Sequence, residues 1–230
     1  MDKTELQTQQ KYYLQQILLT VCGGQINLET YKFNHVFIVF GFSGSGKDTL
    51  IDSFLSTYTK HPFSKFVRTL TRSGRPGELP AADAFYVKPE FFDWLKNNKK
   101  FFYTYEKYDG DQFGYNIMHL IFELSRGHVI MVGGGEANLV GLASGIHNVF
   151  PDVPVTTFFI NRPKEAIIAG LESRGGNPEE IKKRIAHIEK KWQPKPEQHF
   201  DYLIWNADLE QAKKDFSGAI EEILNNSAAS

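Results

Sequence analysis

Apolar and polar positions along the chain change period repeatedly, and the changes mark its elements. Residues 35–40 (HVFIVF) are a continuous apolar run rich in β-branched and aromatic side chains, the pattern of a buried strand. A glycine-rich turn follows at 41–48, then a helix-compatible stretch over 49–58. Upstream, Leu6, Tyr13, Leu14, Ile17, Leu18 and Val21 fall near one face of a helix over 4–21, which Gly23-Gly24 ends. That leader reads as a packing or dimer helix, so a homodimer is one expectation. Further runs predict strands at 64–70, 83–87, 101–105, 129–132, 155–160 and 202–205. Helical periodicity recurs at 90–99, from just after 113–115 to about 125, and at 136–143, 163–173, 178–192 and 209–224. Strands alternating with helices predict an α/β fold with a mainly parallel sheet. Residues 71–115 break the alternation and are expected to form a small inserted subdomain beside a phosphate site. The expected layout is an N-terminal helical extension over 1–34, a main domain over 35–224 and a frayed tail over 225–230.

Composition narrows the setting. The chain has 230 residues, 41% of them hydrophobic, enough for one medium α/β domain with a real core. A formal net charge of -1 supplies no global field toward nucleic acid or membrane, so any anion site must be built locally. Cys22 is alone, which leaves no intrachain disulfide and fits a reducing compartment. No apolar run is long enough to span a bilayer, and the polar N-terminus lacks a secretory core. The expectation is a cytoplasmic protein acting on a small molecule, with neither nucleic acid nor membrane as partner.

Candidate chemistry starts at the turn after the first strand. Gly41, Ser43, Gly44, Ser45, Gly46, Lys47, Asp48 and Thr49 approximate the pattern G-x-x-x-x-G-K-[ST], between a strand and a helix as that pattern requires. Glycines let successive N–H groups turn inward toward phosphate oxygens, and the following helix adds its N-terminal dipole. Lys47 would reach the β- and γ-phosphates of ATP. Asp48 stands where Ser or Thr normally meets Mg2+, with Thr49 one residue late, so the candidate metal residues are Asp48 and Thr49. The bland alternative is a glycine-rich turn capped by Asp48.

Three motifs then line up in one order. They are Gly41 to Lys47, the loop Thr69-Leu70-Thr71-Arg72-Ser73-Gly74-Arg75-Pro76-Gly77-Glu78, and Leu171-Glu172-Ser173-Arg174-Gly175 continuing to Arg184. Phe200-Asp201-Tyr202 through Asn206-Ala207-Asp208-Leu209 forms a fourth. Together they resemble the guanylate kinase family of P-loop nucleoside monophosphate kinases, over about residues 35–224. The resemblance implies a three-layer P-loop NTPase fold with a helical lid near 174–184. It implies an acceptor phosphate held by Arg72 and Arg75 with Glu78, and catalytic cations Lys47, Arg162, Arg174 and Arg184. It departs from the family where the base is read. Tyr103 stands near the position of an acidic base reader, Tyr86 lies two residues past a phosphate-binding tyrosine, and Phe113-Gly114-Tyr115 replaces a tyrosine-glycine-serine turn. Tyr86, Tyr103 and Tyr115 are therefore the remaining candidate acceptor contacts. The Gly-Lys-Asp loop also resembles ribose 1,5-bisphosphate phosphokinases.

The leading expectation is an ATP- and Mg2+-dependent kinase that phosphorylates the phosphate of a GMP-type acceptor. A sugar-bisphosphate kinase is the second reading and a non-catalytic interaction module the third. Intact Lys47, Gly41, Gly44 and Gly46 argue against the module. A P-loop switch is disfavoured because no Asp ends the strand at 129–132.

Overall fold

A computed structural model describes residues 34–74, 77–107, 110–135, 138–173, 178–196 and 199–228. The helix expected over 4–21 lies outside them. The elements are β1 (Val36–Phe40), α1 (Lys47–Thr57), β2 (Phe63–Lys65), β3 (Arg68–Leu70), β4 (Ala84–Tyr86), α2 (Pro89–Asn97), β5 (Phe101–Glu106) and β6 (Gln112–Asn116). They continue as α3 (Ile117–Arg126), β7 (His128–Gly134), α4 (Leu139–Val149), β8 (Val155–Asn161), α5 (Lys164–Ser173), α6 (Pro178–Lys191), β9 (Tyr202–Trp205) and α7 (Leu209–Ala228).

Five strands make one sheet in the order β2-β7-β1-β8-β9. The β2–β7 and β8–β9 pairs are parallel. Every residue of β1 is buried, as befits a strand covered on both faces. A second sheet has the order β4-β3-β6-β5, with β3 parallel to β4 and antiparallel to β6, and β5 antiparallel to β6. The chain divides into two compact units. One holds Pro62–Met131 and Val140–Pro154 with His35 and Val36, and the other holds Phe37–His61, Val132–Leu139 and Val155–Ser230. The divisions fall inside β1 and β7, so both strands begin in the first unit and continue in the second.

In the first unit, α2 buries Phe91, Phe92 and Leu95. Phe91 and Leu95 form one apolar cluster with Val67 and Phe85. Asn116 caps α3 by accepting from the His119 N–H at 3.2 Å. The His119 ring then reaches the Val67 carbonyl at 3.1 Å and the Glu123 carboxylate at 3.1 Å, tying the buried side of α3 to the chain entering β3. α4 comes close to β5 because it carries Gly145: a Cβ there would stand 2.7 Å from the Phe102 carbonyl oxygen. In the second unit, Asp201 locks β9 to β8. Its carboxylate accepts both the N–H and the hydroxyl of Thr157 at 2.7 Å, and its own N–H returns to that hydroxyl at 3.1 Å.

Three sequence expectations change. The strand expected over 64–70 is two strands in two sheets, because Phe66 and Val67 are both buried and the alternation breaks between them. Phe113-Gly114-Tyr115 lies in β6 rather than in a helical approach, with Gly114 packed under the Phe101 ring. The helices expected over 136–143 and 209–224 extend to Val149 and Ala228, so 225–228 continues a helix.

Candidate functional site

The turn after β1 has the geometry of a phosphate cradle. Gly41, Gly44 and Gly46 have φ of 143°, 91° and 94°. Gly46 is doubly constrained: its φ is left-handed, and a Cβ would strike the Asn206 side-chain amide. That amide donates to the Ser45 carbonyl at 2.8 Å, which fixes the loop from a residue 161 positions away. Ser45 is fully buried, and its hydroxyl has no hydrogen-bond partner among the described residues. Lys47 opens α1, is buried, and its ammonium donates to the carbonyls of Gly41 at 2.9 Å and Phe42 at 2.8 Å. Ser43, Asp48 and Thr49 are exposed at the loop and the first turn of α1. Asp48 and Thr49 offer oxygen ligands of the kind a hard cation takes, while the helix end itself favours anions such as phosphate.

In the first unit a second polar cluster stands on the small sheet. Arg72 forms a bidentate pair with Glu78, at 2.7 Å and 2.8 Å, and also donates to the Ser73 carbonyl at 2.8 Å. The Tyr86 hydroxyl donates to the same Glu78 carboxylate at 2.6 Å, and the Arg72 guanidinium lies 5.6 Å from the Tyr86 ring centre. Partial burial, then the hydrogen bond to Glu78, pushes the Tyr86 hydroxyl up to about 12. Arg72, Glu78 and Tyr86, three of the candidate acceptor residues, thus lie together. Arg75 lies outside the described residues.

The two tyrosines at base-reading positions behave differently. Tyr103 is partly buried, and its ring packs where Gly141 has no side chain. Tyr115 is fully buried, with ring neighbours Phe66, Phe102 and Tyr103 each at 5.8 Å. Burial raises its hydroxyl well above the usual phenol range. Two residues past Phe113 on β6, it lies on the same face of the strand as that ring.

A family model described as guanylate kinase matches residues 34–223. The chain belongs to the guanylate kinase family. A guanylate kinase from Thermus thermophilus is 30% identical over 182 residues, covering 79% of this chain and 78% of that protein. Another from Bacteroides thetaiotaomicron is 29% identical over 184 residues, with 80% and 86% covered. Among solved structures, a guanylate kinase from Anaplasma phagocytophilum shares the fold, with a TM-score of 0.54 at 18% identity, covering 83% of this chain and 86% of that one.

Two further candidate residues, Arg162 and Arg184, lie on the second unit. Arg162 follows β8, its N–H donates to the Asn161 side chain at 2.9 Å, and its carbonyl accepts from the Trp192 indole at 3.0 Å. Among the described residues its buried Nε has no hydrogen-bond partner, and a Cβ at Gly170 would meet its guanidinium only at an ordinary contact distance of 3.9 Å. Arg184 is on α6 and partly buried. Arg174 lies outside the described residues. The sequence reading misses three contributors. Asn206 enters it only as part of a motif, and its tie to the loop becomes visible in space. Phe42 packs against the cluster of Ile167, Leu171 and Ile188. Arg68 stands on β3 beside the Tyr105 hydroxyl at 3.4 Å, and the alternation Arg68-Leu70-Arg72 is the signal that would have found it.

Proposed function

We propose that the chain transfers the γ-phosphoryl group of ATP to the phosphate of a GMP-type nucleoside monophosphate. Membership of the guanylate kinase family, with its phosphate loop complete through Lys47, is the observation that carries the reading. In this reading the backbone of 41–49, with Ser43, Ser45 and Thr49, receives the donor phosphates, and Lys47 leaves its own loop carbonyls for the β- and γ-oxygens. Arg162, Arg174 and Arg184 neutralise charge that develops on the transferring group. Arg72 and Arg75 take the acceptor phosphate. Glu78 and Tyr86 hold Arg72 in place beforehand, and the phosphate displaces the carboxylate from the guanidinium fork. Tyr103 borders the acceptor through its partly exposed edge.

Asp48 and Thr49 suit Mg2+, which in such sites is bound through one or two carboxylates together with substrate phosphates. The ion would supply charge neutralisation at the bridging phosphate oxygens. No step needs a protein nucleophile: the acceptor phosphate oxygen attacks, and ADP leaves. A cytoplasmic site of action belongs to the same proposal, supported by the single cysteine. The comparisons name guanylate kinases, which does not favour the sugar-bisphosphate or non-catalytic readings. The test is direct. Purified chain with ATP, Mg2+ and GMP should form GDP and ADP in equal amounts; ATP consumption without a phosphorylated acceptor, or no turnover with any monophosphate, refutes the reading.

A further inference from the structure

The small sheet has two faces with different occupants. One packs on α2 through Phe85. The other is set by register: Leu70 stands beside Tyr86 on β4 and opposite Phe113 on β6, while Tyr105 of β5 also pairs with Phe113. Leu70, Ala84 and Phe113 form the cluster on this face, flanked by Tyr86 and Tyr105. Side chains two apart share a face of a strand, so Arg68 belongs with Leu70. Its guanidinium agrees with that placement, 5.5 Å from the Phe113 ring centre and 3.4 Å from the Tyr105 hydroxyl. Arg72, two residues past Leu70, returns to this face over Tyr86. The face therefore carries two arginines, four residues apart, along one aromatic floor.

We propose that Arg68 reads the base of the acceptor, donating two parallel hydrogen bonds to O6 and N7 of a guanine whose phosphate sits at Arg72. The proposal rests on the reading of this chain as a GMP-type kinase. An extended chain rises ~3.3 Å per residue, so the two arginine backbones stand at most about 13 Å apart, close enough for two long side chains to reach the phosphate and the base edge of one nucleotide. The guanidinium fork matches the paired acceptors O6 and N7, the most frequent specific contact between arginine and guanine. Adenine places an amino donor where guanine has O6, so the same fork turns it away. Burial keeps the Tyr105 and Tyr115 hydroxyls protonated, so neither sets a phenolate beside the guanidinium. Recognition on this edge needs no carboxylate, and Tyr103 at the expected acidic position is then no obstacle.

The edge that is read can be tested on the wild-type chain by comparing KM, and Kd by calorimetry, for GMP, IMP, 7-deaza-GMP and AMP. IMP lacks only the amino group on the opposite edge, so it should match GMP within about threefold. Losing N7 in 7-deaza-GMP, or O6 in AMP, should weaken binding by roughly ten- to a hundredfold. Arg68→Lys keeps the charge and loses the fork; it should raise KM for GMP by about tenfold, leave kcat nearly unchanged and erase the preference for GMP over 7-deaza-GMP. The proposal is overturned if 7-deaza-GMP equals GMP, if IMP is rejected as strongly as AMP, or if Arg68→Lys preserves the discrimination. A chain that binds GMP with this pattern without phosphorylating it keeps the Arg68 assignment and loses the kinase reading. A chain that binds none of the four loses both.

Discussion

At the scale of single residues, the ammonium of Lys47 is held by two carbonyls of its own loop. Those bonds keep a buried cation satisfied until a phosphate replaces them. Lys47→Met should lower kcat/KM by about 10²–10³-fold, the usual cost of deleting one donor aimed at developing charge, while GMP still binds in calorimetry. Tyr86 makes a different forecast. Its ordinary value of 10.0 rises to about 12 through burial and the Glu78 carboxylate. Between those values the folded state keeps a proton that the unfolded state gives up, so its contribution is complete below pH 10 and falls away as pH rises toward 12. Thermal melts across this alkaline range should show a drop that Tyr86→Phe flattens; an unchanged slope would mean that Glu78 does not hold the hydroxyl.

At the scale of elements, what the sequence made legible follows from how each segment is buried. β1, β8 and β9 were readable because their apolar runs are short, β-branched and bounded by turn residues. The stretch 64–70 was not, since Phe66 and Val67 join two sheets through adjacent buried residues and erase the period of two. The same break hid Arg68, whose partner in alternation is Leu70. β6 was unreadable at Gly114, a poor strand residue kept small by the Phe101 ring above it. α4 outran its expected end because Gly141 and Gly145, weak helix formers, are where it meets Tyr103 and Phe102. Gly145→Val should therefore cost about 1–3 kcal/mol by overpacking, despite the better helix propensity of valine, and lower the melting temperature by several degrees. A variant as stable as the parent would show that α4 and β5 do not pack this closely. Of the candidate site, the phosphate loop and the Arg72-Glu78-Tyr86 cluster were legible because each is local in sequence. The full burial of Tyr115 was not legible, because it depends on packing among Phe66, Phe102 and Tyr103, which are distant in sequence or on a neighbouring strand.

At the scale of the whole molecule, a net charge of -1 leaves the work of binding two anionic substrates to local arrangements. Those arrangements divide cleanly. Lys47, Arg162, Arg184 and Asn206 belong to one compact unit, and Arg68, Arg72, Glu78 and Tyr86 to the other. The two affinities should separate accordingly. Arg72→Ala should weaken GMP at least tenfold, the scale of a lost charge-assisted pair, with ATP affinity unchanged within about twofold. Equal losses for both ligands would show that the residues do not divide in this way.

The tether from Asn206 to Ser45 has a consequence for how the protein is made. The loop leaves the ribosome well before the side chain that fixes its carbonyl, which is 161 residues behind it. Contacts so distant along the chain close last and set the pace of assembly. A nascent chain halted just before residue 206 should have every phosphate-facing glycine and Lys47, and still fail to be retained on immobilised ATP. Extending the halted chain through α7 should restore retention, making nucleotide capture a report that the tether has closed.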